Sequence, residues 1–284
     1  MKVLVTGVKG QLGYDVVKEL TKRNHEAVGV DIEEMDITDF SAVEKVLTAV
    51  NPDAVIHCAA WTAVDAAEDN ADKVMKINVD GTANIAKVCK AIDAKMVYIS
   101  TDYVFDGTGE APWDPDCKDY APQNVYGMSK LGGEKAVAEI LSKYFIVRIA
   151  WVFGKNGNNF IKTMLRLSET HDTLRVVDDQ IGTPTYTYDL SRLLVDMIET
   201  EKYGYYHATN EGGYISWAEF AAEIFKQAKK STKVIPVTTA EYGLSKAKRP
   251  FNSRLDKSKL TLNGFERLPL WQDALKRYLE ELGE

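Results

Sequence analysis

The chain has 284 residues, 45% hydrophobic and 27% charged, which suffices to bury a full core and excludes disordered and membrane-spanning classes. Its net charge of −7 argues against a nucleic-acid partner. Cys58, Cys89 and Cys117 are odd in number and form no CxxC pair, so reduced thiols in a cytoplasmic protein are expected, not a disulfide framework or zinc site.

The opening MKVLVTG offers only a short apolar run before Gly7, too short for a secretory signal, and no later stretch approaches a membrane span. KVLVT at 2–6 reads as a strand, followed by a glycine-punctuated loop and a helix with Leu12, Val16 and Leu20 on one face. Residues 27–31 form a second strand ending in an acid, Asp31. Asn51-Pro52-Asp53 then introduces a third, AVIHCAA. His57 lies inside that apolar run and reads as a packed core histidine. A long helical region including 74–91 leads to KMVYIST and then to YFIVRIAWVFG. Strands rich in β-branched residues, each followed by a helix, predict an α/β fold with a doubly wound, Rossmann-like parallel sheet.

After about residue 155 the rhythm changes. GKNGNNF, DDQIGTPT and KAKRPFNSRLD are polar and turn-rich, with helices between them, one over 217–229. The expected organisation is a dinucleotide-binding domain of 1–154 plus roughly 186–200. A smaller C-terminal substrate-binding region then comprises 155–185 and 201–284.

Thr6-Gly7-Val8-Lys9-Gly10-Gln11-Leu12-Gly13 reads TGxxGxxG. Gly7, Gly10 and Gly13 let the chain turn tightly and let backbone N–H groups approach a pyrophosphate at a helix N-terminus. Glycines alone are weak evidence; their place between a strand and an amphipathic helix, with Asp31 closing the next strand, points to a dinucleotide. Asp31 would accept hydrogen bonds from the adenosine ribose and repel a 2′-phosphate. Residues 29–36 contain no Lys or Arg, so NADH is expected to be preferred, with NADPH the alternative cofactor.

A YxxxK spacing places a phenol and an ammonium one turn apart on a helix face, where the cation would lower the phenol's pKa and prepare it as a proton donor. Three pairs have this spacing: Tyr14/Lys18, Tyr126/Lys130 and Tyr242/Lys246. Only Tyr126 follows a strand ending in Ser100-Thr101, at the carboxyl edge where open sheets hold their ligands. Tyr126, Lys130 and Thr101 are therefore the predicted catalytic set of a nicotinamide-dependent reductase.

With these residues in place, the chain resembles the extended branch of the short-chain dehydrogenase/reductase superfamily, and within it the dTDP-4-dehydrorhamnose reductase family. The similar segments are Ala59–Asp65, Ser100–Gly109, Asn124–Leu131, Trp151–Phe153, Gly157–Phe160, Asp179–Thr185 and Arg249–Leu255, spread over most of the chain. The resemblance implies reduction of the 4-keto group of dTDP-6-deoxy-L-lyxo-4-hexulose (dTDP-4-dehydro-L-rhamnose) to dTDP-L-rhamnose. It implies Gly10, Gln11 and Leu12 at the pyrophosphate, Asp31, Asp36 and Ile37 at the adenosine, and Ala60, Trp61 and Thr62 near the central ribose. Tyr126 and Lys130 would meet the nicotinamide ribose; Thr101, Asp102 and Trp151 would meet the sugar, and Arg249 and Arg254 could bind its diphosphate.

Some members of that family hold magnesium between carboxylates at a dimer contact. Asp15 could be one ligand, but Tyr188-Asp189 leaves the register of a second open, so no metal site is assigned and magnesium and a homodimer stay open. Sugar-nucleotide dehydratases of the same branch carry Thr-Asp-Glu after the strand; Thr101-Asp102-Tyr103 lacks that glutamate and favours a simple reductase. The alternatives are a reductase of a related dTDP-4-keto-6-deoxy sugar and a non-catalytic nucleotide-binding subunit like that of methionine adenosyltransferase.

Overall fold

The computed structural model describes residues 1–284. Six parallel strands form the main sheet: β1 (Lys2–Thr6), β2 (Glu26–Val30), β3 (Ala54–His57), β4 (Lys95–Thr101), β5 (Tyr144–Ile149) and β6 (Gly204–His207). Their order is β6-β5-β4-β3-β1-β2. The direction of winding reverses between β1 and β3, so a crevice opens above their carboxyl ends, where such sheets bind ligands.

The strand residues are apolar on both sides because both faces are covered. Val3, Val5, Ile56, Val97, Phe145 and Val147 face a layer built from α1 (Gln11–Lys22) and the helix Thr187–Ile198. Leu4, Val55, Met96, Tyr98 and Ile146 point the other way. They meet α2 (Phe40–Val50), α3 (Thr82–Ala91) and α4 (Val125–Ile140). Val3, Leu4 and Val5 are fully buried on alternating faces, as the strand's two-residue period requires. A third apolar cluster, with Phe153, Phe220, Trp271 and Tyr278 among its members, supports the irregular half.

Two expectations need correction. Gly204–His207, placed at sequence level in the substrate region, is the edge strand of the main sheet, pairing with Phe145–Arg148. Its GYYH sequence is too short to show a period. The helix expected over 74–91 is interrupted by a π-helical stretch, Lys76–Gly81, before α3 begins. Such bulges recur at functional sites, and this one sets Asn78 behind the 60–62 wall of the crevice. No helix is long and apolar enough to cross a membrane.

Candidate active site

A cavity of about 750 Å³ lies along the carboxyl edge of the sheet. At one end is the glycine loop. Gly7 has φ +70°, and a Cβ on Gly13 would lie 2.3 Å from the Gly7 carbonyl oxygen. Helix and loop therefore meet at backbone distance, and any side chain would close the cradle. No side chain caps α1 at Gly10, leaving the first N–H groups of the helix open toward the cavity. This arrangement fits a dinucleotide pyrophosphate.

Asp31 closes β2 and also lines the cavity, its carboxylate accepting from Lys9 N–H at 3.0 Å and Ile32 N–H at 2.9 Å. A cation stands here although residues 29–36 contain none. Lys9, from the glycine loop, reaches the same edge and pairs with Glu33 at 2.7 Å. Asn78 clamps the wall opposite. Its Oδ1 accepts from Trp61 N–H at 2.8 Å, and its Nδ2 donates to the Trp61 carbonyl at 3.1 Å and to Ser129 Oγ at 2.8 Å. One amide thus fixes the 60–62 segment to α4. His57 is buried, with its ring nitrogens 2.8 Å from Thr6 Oγ1 and 3.1 Å from Thr82 Oγ1. Burial pushes its pKa down to about 3, so it stays neutral and structural.

The reacting end is assembled by β4 and α4. Thr101, the last residue of β4, donates to Asp102 Oδ1 at 2.9 Å and accepts from Tyr103 N–H at 3.3 Å. Offering that hydroxyl to a carbonyl oxygen requires its proton to turn away from Asp102. Asn124, two residues before Tyr126, caps α4 by accepting from Gly127 N–H at 2.7 Å, so the helix begins at Val125. The Tyr103 ring meets Tyr126 edge-on at 5.5 Å. Lys130, one turn beyond Tyr126, is buried, with Nζ 4.1 Å from the centre of the Tyr98 ring. The Tyr98 hydroxyl donates to the Lys130 carbonyl at 3.1 Å.

The expected direction of the Tyr126 pKa is overturned. Desolvation by the site walls raises it above the usual phenol range, and the Asp102 carboxylate adds to this, while the Thr101 hydroxyl opposes. The lysine shifts instead: burial lowers Lys130 to about 7, opposed by Glu134 one turn along α4. Burial also holds Asp102 up at about 6, and its Oδ2 has no partner. The phenol is therefore protonated across the working range, as a donor must be, while the Lys130 ammonium and the Asp102 carboxyl are both brought toward neutrality.

Every predicted cofactor residue lines the cavity: Gly7, Gly10, Gln11, Leu12, Gly13, Asp31, Asp36, Ile37, Ala60, Trp61, Thr62, Tyr126 and Lys130. Thr101, Asp102 and Trp151 line it too. The two arginines do not. Arg249 stands behind Tyr103, donating to its hydroxyl at 3.2 Å and to Asp65 at 2.8 Å. Arg254 turns back on Asn252 Oδ1 at 3.1 Å.

Of the two carboxylates named for magnesium, Asp189 is already committed to a cation, whereas Asp15 Oδ1 is left without a partner. Asp15 is buried and accepts from the Thr187 hydroxyl at 2.6 Å. Both Asp189 oxygens are taken by the Arg277 guanidinium at 2.8 Å, and Oδ2 also by Asn210. The guanidinium already supplies the positive charge a metal would bring.

A family model described as the RmlD substrate binding domain matches residues 1–284. The spore coat polysaccharide biosynthesis protein SpsK of Bacillus subtilis (strain 168) is 40% identical over 99% of this chain and 97% of its own length. The dTDP-4-dehydrorhamnose reductase of Clostridium acetobutylicum ATCC 824 superposes with a TM-score of 0.96 at 43% identity, covering 100% of both chains. That of Bacillus anthracis str. Ames, in complex with NADP, gives 0.95 at 44% identity over 99% of this chain and 100% of its own.

Proposed function

The chain belongs to the dTDP-4-dehydrorhamnose reductase family, and from that membership we propose that it reduces the 4-keto group of dTDP-4-dehydro-L-rhamnose to dTDP-L-rhamnose, with Tyr126 as proton donor. The observation that carries this reading is the convergence of Thr101, Tyr126 and Lys130 on one cavity that ends in the open glycine cradle. The nicotinamide, when bound, supplies the hydride. Tyr126 passes its proton to the developing C4 alkoxide, and the Thr101 hydroxyl donates to the same oxygen. The Lys130 ammonium stabilises the phenolate left behind, and Trp151 walls the sugar end. Unpaired thiols at Cys58, Cys89 and Cys117 support a cytoplasmic location.

NADH oxidation with dTDP-4-dehydro-L-rhamnose, with the product identified as dTDP-L-rhamnose, tests the assignment. NADH binding without turnover would favour a non-catalytic binding subunit. Asp31 supports a preference for NADH, while Lys9, held by Glu33 in an exposed pair of little net strength, is available to a 2′-phosphate. We expect kcat/KM with NADH to exceed that with NADPH by no more than about tenfold, roughly 1.4 kcal/mol. A clear preference for NADPH would overturn the role given to Asp31.

The pH dependence follows from Lys130. Its ammonium is the active form and its pKa lies at about 7. Raising the pH through that value removes the charge, so kcat/KM is expected to fall on the alkaline side of neutrality. A profile flat from pH 6 to 9, roughly spanning that titration, would remove Lys130 from the proton-transfer step.

A further inference from the structure

Trp151 adopts φ +51°, left-handed for a bulky residue that is not glycine. Such a conformation persists only where neighbours hold it, and it clusters where a side chain is being aimed. Here the neighbours are identifiable. The Trp151 indole stacks on Trp217 with ring centroids 3.7 Å apart and planes tilted by 16°. Gly182 packs against its benzo ring so closely that a Cβ would lie 2.9 Å from Cε2 and 3.1 Å from Cζ2.

One short ladder ties these two neighbours together. Ile215 pairs with Gly182 and Ser216 with Ile181, antiparallel. Trp217 follows at once as the first residue of the helix Trp217–Gln227, fixed by a capping box between Ser216 and Glu219. Trp217 also rests on Phe160, centroids 4.6 Å apart. Trp151, by contrast, leaves the main sheet just after β5, where Ile149 is the register partner of Thr101. The stack therefore lies at the reacting end of the cavity, with Asp31, just after β2, at the far side of the sheet order.

We propose that Trp217 and Gly182 form a clamp that holds the Trp151 indole against the hexose, making Trp217 a positioning residue for the sugar and not for the cofactor. This rests on the reading of Trp151 as a sugar contact. Freed from Trp217, the indole loses its fixed plane. With a methyl at 182 it is pushed out of that plane from another side.

The test is steady-state kinetics on the full chain with the sugar nucleotide, together with NADH affinity from fluorescence titration. Trp217→Leu and Gly182→Ala are each expected to raise the sugar-nucleotide KM about three- to tenfold, with kcat and NADH affinity within about twofold of wild type. Trp217→Phe, which still offers a ring to stack on, is expected to keep KM near wild type. The circular-dichroism couplet of two stacked indoles should vanish in Trp217→Leu. Unchanged KM in both Trp217→Leu and Gly182→Ala would overturn the clamp, as would an equal loss of NADH affinity. If Trp217→Leu does not fold, Gly182→Ala and Trp217→Phe decide alone. Trp151→Leu separates the two layers of the claim. Wild-type KM in that variant would refute the sugar contact itself; a raised KM there, with Trp217→Leu and Gly182→Ala both unaffected, would refute only the clamp.

Discussion

Tyr126→Phe is expected to lower kcat by roughly 10²–10⁴ while NADH affinity and melting temperature stay near wild type. The substitution removes one oxygen and keeps the ring, so the edge-on packing against Tyr103 survives. That oxygen faces the Thr101 hydroxyl and the Asp102 carboxylate, in surroundings that hold its proton on. Hydride delivery to a carbonyl leaves an alkoxide, which without a proton donor must be stabilised by Thr101 alone. The Thr101 hydroxyl is already donated to Asp102 at 2.9 Å, so its help has to be drawn from that bond. A single-turnover measurement with saturating NADH isolates the step. Retained turnover in Tyr126→Phe would remove the phenol from the reaction and point to Asp102, raised to about 6, as the proton source.

How much of this was legible in the chain depends on the range of the interaction. The glycine cradle was readable because its constraint is local: Gly7 and Gly13 must nearly touch, and the spacing records it. Tyr126 was readable only through context, since Tyr14 and Tyr242 share its spacing to a lysine. Tyr98 sat in an apolar strand and gave no sign of a function. Its role appears only when α4 crosses β4 and sets Lys130 over its ring. Lys9, Asn78 and Trp217 were hidden for the same reason, each acting across the fold on residues remote in sequence. Asn124 could have been found, because an Asn just before a helix start is a capping signal. The arginines at 249 and 254 were chosen for their charge, and charge alone did not show that Asp65 and Asn252 would claim them.

The effect of Glu134 on Lys130 leads to a second large expectation. Arg148 is fully buried and grips Glu134 through two contacts of 2.8 Å, while also donating to the Tyr120 hydroxyl at 3.0 Å and the Pro115 carbonyl at 3.2 Å. The rings of Phe105, Tyr120 and Tyr205 surround the guanidinium within 5.2 Å. Arg148→Met strands the Glu134 carboxylate in that apolar setting. Breaking a buried pair in this way costs about 3–5 kcal/mol, which for a chain of this size lowers the melting temperature by on the order of 10 °C. Adding Glu134→Leu removes the stranded charge, so the double variant should be more stable than Arg148→Met alone. The same pair also sets the lysine. An uncompensated carboxylate favours the ammonium, so Arg148→Met should move the alkaline fall in kcat/KM to higher pH. Glu134→Gln removes the anion and should move it below about 7, the value at which Lys130 titrates. Opposite displacements of the limb in these two variants would establish that the buried pair tunes the lysine. A common displacement would show that it does not, and an Arg148→Met protein as stable as wild type would overturn the structural role of the pair.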